Sequence, residues 1–124
     1  MLNEETIYLL QQIHDTMKRI EGNVSTISCP DDFLTSPEGM LRLESTCMLL
    51  IAIGESLKAI DKLTDKQLLA LYPEVDWKGA KGLRDIIAHH YFEIDADIVF
   101  DVATEKIPPM RLVIERIMKD NGIA

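Results

Sequence analysis

The sequence predicts an all-α fold, an up-and-down helical bundle of four main helices with short additional helices. Three observations carry this. Apolar residues recur at steps of three and four, as in Ile7, Leu10, Ile13, Met17, Ile20 and Val24. No stretch alternates apolar and polar residues as a half-buried strand does. Glycine and proline are few, 6 and 5 in 124 residues. A chain of this length is expected to form one domain, spanning residues 1–124, with a real core.

Helix one is predicted over about residues 3 to 23, with Asn3 as its N-cap. A loop follows over residues 25 to 36, containing Pro30 and room for one short turn around Phe33. Ser36-Pro37-Glu38 reads as an N-cap, a proline at the first helical position and an early acid, and opens helix two to about Ile60. Thr64 and Gln67 have the spacing of a capping box for a short helix ending near Tyr72-Pro73. Helix four is expected over about residues 78 to 91. Asp95 caps a fifth helix reaching Pro108-Pro109, and the chain continues helically to Asn121-Gly122.

Helix two is apolar nearly all round between Met48 and Ile53, so more than one of its faces must be covered. Packing within one small bundle or a homodimer interface would do this. The longest unbroken apolar run, residues 47–53, is far too short for a membrane span. The N-terminus lacks the cationic start and apolar stretch of a signal peptide. The two cysteines, Cys29 and Cys47, read as reduced thiols in a cytoplasm.

A net charge of −8 argues against broad, non-specific nucleic-acid binding, which needs a basic surface, but leaves room for a small local site. Lys78, Lys81 and Arg84 recur at every third residue. They form either a solvated helix edge or a local contact for RNA phosphates. The run leads into a cation, an imidazole and a phenol within eight positions: Arg84, His89 and Tyr91. Arginine offers a planar fork of donors suited to phosphate oxygens, and histidine moves protons near neutral pH. Cleavage of a phosphodiester without a metal requires groups of this kind.

On one straight helix, Arg84 and Tyr91 would lie about 20° apart and His89 about 140° from Arg84. The helix must loosen at residues 89–91, or two chains must share one cleft. Asp85 stands one helical rung from His89, where it could fix the imidazole's tautomer or form an ordinary surface pair. His90, spaced four residues from Ile86, reads as a packing histidine. Glu55, after a glycine in helix two, is either solvent-facing or paired. His14 reads as a surface residue. No histidine or cysteine stands at zinc spacing, so no metal and no cofactor are expected.

The pattern of Arg84, four residues, His89, one residue and Tyr91 resembles the HEPN superfamily. Its surroundings resemble the HepT-like (DUF86) toxins within that superfamily: Ile53-Gly54-Glu55, Tyr72-Pro73-Glu74, Trp77, Gly82-Leu83-Arg84-Asp85, Tyr91-Phe92 and Ile94-Asp95. The resemblance runs over roughly residues 3 to 119. The chain departs from it at Met48 and Ile51, where many members carry polar or charged residues. The resemblance implies a HEPN-type dimeric bundle and a metal-independent endoribonuclease, the toxin of a HepT/MntA-type toxin–antitoxin system. By the same resemblance Arg84, His89 and Tyr91 are catalytic, and Glu55 can support them by a bond toward Arg84. Asp85 is read as supporting His89, and Lys78 and Lys81 as contacts for RNA phosphates, from their spacing. A cognate nucleotidyltransferase antitoxin would silence the toxin by adding AMP to Tyr91. The alternative is a non-catalytic HEPN partner of a minimal nucleotidyltransferase.

Overall fold

The computed structural model describes residues 1–90 and 93–124, with residues 88–90 described by their backbone. The bundle is built on two long helices, α1 (Glu4–Asn23) and α2 (Pro37–Leu63), and closed by α6 (Ile107–Asp120). Between them lie three short helices, α3 (Trp77–Lys81), α4 (Leu83–Ile87) and α5 (Ala96–Asp101), and one antiparallel ribbon of β1 (Ala88–His90) and β2 (Glu93–Ile94).

The predicted start signals operate as expected. Asn3 accepts the Thr6 amide at 2.8 Å, Ser36 that of Gly39 at 2.9 Å, and Asp95 that of Ile98 at 3.1 Å. α1 buries Thr6, Leu10, Ile13, Met17 and Ile20, a stripe at steps of three and four that packs on α2 and α6. Thr6 rather than Ile7 begins that stripe. Phe33, in a 3₁₀ turn at Pro30–Phe33, is fully buried and meets the Phe100 ring edge-on at 6.4 Å. Burying such a ring contributes roughly 1.5–3 kcal/mol.

α2 is the helix the others share. It contacts α1, α3, α4, α5 and the Phe33 turn. Leu43, Leu50, Ile53, Leu57 and Ile60 are buried beneath these neighbours, whereas Leu41 and Met48 stay 67% and 73% exposed. The apolar middle of the helix is therefore covered on one broad side and open on another.

Four local expectations are corrected. Thr64 does not cap a new helix. Its hydroxyl donates to the Ile60 carbonyl at 2.8 Å, and the chain leaves α2 through left-handed residues Asp65 and Lys66. One 3₁₀ turn at Leu69–Leu71 follows. The single helix expected over residues 78 to 91 is broken at Gly82 and ends at Ile87, giving way to β1. The β-branched and aromatic residues around this point favour extended backbone, and the Asp95 amide returns to the Ile87 carbonyl at 2.9 Å. The fifth helix does not stop at Pro108-Pro109. Prolines lack the amide that an α-turn would use; the chain widens over Val102–Lys106, with the Ile107 amide reaching the Val102 carbonyl, and continues directly into α6. His14 is only 20% exposed at its side chain and stands 2.8 Å from Glu115, joining α1 to α6. Hydrogen bonds from His14 and Arg111 hold the Glu115 carboxyl below its ordinary range.

Candidate functional site

The segment carrying the predicted site is fastened before the site begins. Tyr72 is buried, and its hydroxyl donates to Asp120 Oδ2 at 2.7 Å. The Arg116 guanidinium lies 5.2 Å from the Tyr72 ring centre and pairs with Glu74. The Trp77 indole N–H donates to the Tyr72 carbonyl at 2.8 Å. The Tyr72-Pro73-Glu74 and Trp77 signature thus ties the start of α3 to the end of α6. Asp76 caps α3 by accepting the Gly79 amide at 3.0 Å.

α3 then lies unusually close to α2. A Cβ at Gly54 would stand 2.9 Å from the Ala80 carbonyl oxygen, so only glycine lets the two backbones approach this far. Gly82 turns the chain, its amide shared between the carbonyls of Lys78 and Gly79. α4 begins at once and buries Leu83 and Ile87.

Arg84 and Asp85 fall on the opposite, exposed side of α4. Among the described residues Arg84 makes no ion pair or side-chain hydrogen bond. Lys78 is exposed as well. Lys81 is only partly exposed, and its ammonium pairs with the buried carboxylate of Asp61 on α2. Glu55 is exposed and pairs with Lys58 at 3.5 Å rather than with Arg84.

His89 and His90 sit on β1, so neither the Asp85–His89 rung nor the His90–Ile86 spacing of a continuous helix exists. The side chains of His89 and His90, and the whole of Tyr91, lie outside the described residues. Among the described residues no group of His, Cys, Asp and Glu is arranged to hold a metal. No described helix is long and apolar enough to cross a membrane. A cavity of about 440 Å³ beside α4 is lined by Leu83, Ile86, Val102, Glu105 and Met110, and Arg84 is not among its lining residues.

A family model described as ribonuclease HepT-like matches residues 8–117. The chain belongs to that family. Among curated relatives, a Methanocaldococcus jannaschii protein named "Putative RNase" is 39% identical over 71 residues, 57% of this chain and 55% of its own length. A second from the same organism, named likewise, is 35% identical over 71 residues, 57% of this chain and 58% of its own. This chain therefore spans little more than half the length of either. A Thermococcus cleftensis protein named "Probable ribonuclease HepT" is 27% identical over 110 residues, 89% of this chain and 93% of its own. No solved structure matches.

Two residues that sequence reasoning missed, Asp61 and Asp120, anchor the HepT-like segment. The signal for Asp61 was an acid on the buried face of α2, beside Ile60 and four residues after Leu57. Asp120 carries no such signal, because only the fold brings it to Tyr72.

Burial, together with the hydrogen bond to Asp120 and its negative charge, pushes the Tyr72 phenol up to about 12, against the opposing Arg116 charge. A phenol that titrates higher when folded favours folding below its free value of 10.0, and that contribution fades as pH rises toward 12. Tyr72→Phe should cost about 1 kcal/mol at neutral pH. It should also remove part of the destabilisation between pH 10 and 12, read from urea midpoints at both ends of that window. An unchanged slope in the Phe variant would assign the alkaline loss to other groups.

Proposed function

We propose that this chain is a metal-independent endoribonuclease, the toxin of a HepT/MntA-type toxin–antitoxin pair, working as a homodimer in the cytoplasm with residues 1–124 as one domain. One observation carries the reading. A member of a ribonuclease family presents an exposed Arg84, without a partner among the described residues, on a helix that stops just before His89.

The chemistry follows from the residue types. The 2′-hydroxyl of the RNA attacks the adjacent phosphorus, the 5′-oxygen leaves, and a cyclic phosphate remains. His89 moves the proton from the attacking oxygen toward the leaving one. Arg84 stabilises the charge that gathers on the phosphoryl oxygens. Tyr91 orients the phosphate, and Lys78 holds a neighbouring one. Asp85 adds a carboxylate beside Arg84 on the exposed side of α4. A two-fold dimer brings two copies of the motif to one cleft, and the open apolar side of α2 around Leu41 and Met48 supports such a partner surface.

Silencing rests on Tyr91. A nucleotidyltransferase antitoxin adds AMP there, and the added phosphates bring negative charge and bulk to a site built for an RNA phosphate. The alternative, a non-catalytic partner of such an enzyme, is favoured by the net charge of −8.

Arg84→Ala and His89→Ala should each abolish RNA cleavage, a loss of at least about 100-fold. Thermal melting of Arg84→Ala should stay at the wild-type value, since its side chain covers no core. Either variant cutting at the wild-type rate removes that residue from the reaction, and both doing so favours the binding-partner reading.

Met48→Glu should dissociate the homodimer without unfolding the chain, because Met48 is 73% exposed. Light scattering decides this; a wild-type monomer would contradict the dimer.

Incubation with the cognate nucleotidyltransferase, ATP and magnesium should add AMP mass to Tyr91 and stop cleavage, and Tyr91→Phe should escape the modification. Silencing with no covalent change on Tyr91 would point to inhibition by tight binding.

A further inference from the structure

Asp61 is an acid at a core position, only 8% exposed. A buried carboxylate is costly unless an opposite charge meets it. Lys81, the last residue of α3, does so, and the two side chains keep just 11% and 27% of their surface open. This is no ordinary surface pair. A second fastening lies two helical turns earlier on α2, where Gly54 receives the Ala80 carbonyl. The end of α3 is thus held to α2 at two consecutive residues, Ala80 and Lys81. Gly82 then turns the chain, and Arg84 follows three residues after Lys81.

We infer that the Asp61–Lys81 pair is a positioning device for Arg84: Lys81 is a strut between α2 and α3, not a phosphate ligand. The inference rests on the ribonuclease reading above. To reach an RNA phosphate, Lys81 would have to abandon Asp61 and leave a buried negative charge uncompensated. Kept in place, it fixes where α3 ends, and through the Gly82 turn it fixes where the guanidinium of Arg84 stands. α3 and α4 have five residues each and cannot hold that geometry by themselves. Among the described residues Lys78, exposed and one turn earlier, has no ion pair and is the lysine of this run left to meet a phosphate.

The two roles for Lys81 separate in kinetics. The full chain is assayed as Lys81→Met, Lys81→Arg and Asp61→Asn, with Arg84→Ala as control, on an end-labelled RNA that the wild type cuts from a transfer-RNA or messenger-RNA pool. Misplacing a reacting group by about 1 Å costs on the order of 100-fold in rate, so Lys81→Met and Asp61→Asn should lower kcat by about 10- to 100-fold. KM and the salt dependence of RNA binding should stay at wild-type values, and Lys81→Arg, which keeps a cation opposite Asp61, should keep most of kcat. A phosphate ligand would give the reverse: Lys81→Met would raise KM and reduce the salt slope by about one, with kcat retained, and this overturns the inference. A lowered melting temperature with unchanged kcat per folded molecule also overturns it, since that is structural support alone. Should Lys81→Met not fold, Asp61→Asn and Lys81→Arg separate the two roles by the same readouts. Arg84→Ala cutting at the wild-type rate would sink the ribonuclease site itself. Arg84→Ala inactive beside a fully active Asp61→Asn would sink the strut alone.

Discussion

The contact on which this molecule depends is the approach of α3 to α2 at Gly54. Helices of five residues are not stable alone in water; nucleation is unfavourable and few backbone bonds follow. α3 and α4 therefore exist because something larger holds them. That support is the long α2, which lacks a side chain where the Ala80 carbonyl arrives and carries a buried acid where the Lys81 ammonium arrives. From the other side, Trp77 and Tyr72 bind the start of α3 to the end of α6. Tyr72, Glu74 and Trp77, part of the family's signature in the sequence, are fasteners. The exposed Arg84 follows directly, its position set by this packing.

Much of the fold was legible from local signals. The stripe on α1, the caps at Asn3, Ser36 and Asp95, and the proline at the start of α2 all act between residues a few positions apart, and such signals are written in sequence. The misreadings fall where two local signals compete. Thr64 and Gln67 have capping-box spacing, but the chain had just left α2 and the threonine hydroxyl was drawn back to Ile60. The stretch from Lys78 to Ile87 has helical periodicity, yet the chain turns at Gly82, whose amide goes to Lys78 and Gly79, and leaves the helix for β1, which pairs with β2 a few residues on. The widened turn before Pro108 satisfies the backbone without breaking the helix, an outcome that proline alone does not announce.

The candidate site is argued from residue type, and its geometry was only partly legible. Spacing treated Lys78, Lys81 and Arg84 as equivalent cations on one edge. The fold divides them: Lys81 is drawn inward by Asp61 while Arg84 and Lys78 face solvent. In an acidic chain this division matters, because RNA affinity scales with the number of phosphates a surface can neutralise. Among the described residues, two exposed cations on one short segment suit a few local phosphate contacts better than a surface that coats RNA. Similarly, the end of α4 at Ile87 relieves the conflict of placing Arg84 and His89 on one straight helix, since β1 takes the chain away from the helix axis before the imidazole.

The central claim is that the RNA supplies its own nucleophile to a site built on Arg84 and His89. The most direct measurement replaces the single ribose 5′ to the cut with its 2′-deoxy counterpart and follows cleavage in the presence of a chelator. Full cleavage of the all-ribose strand to a cyclic phosphate, with none at the deoxy position, is the predicted result. Equal cutting of both strands, or activity that vanishes with the chelator and returns with a divalent metal, would contradict it.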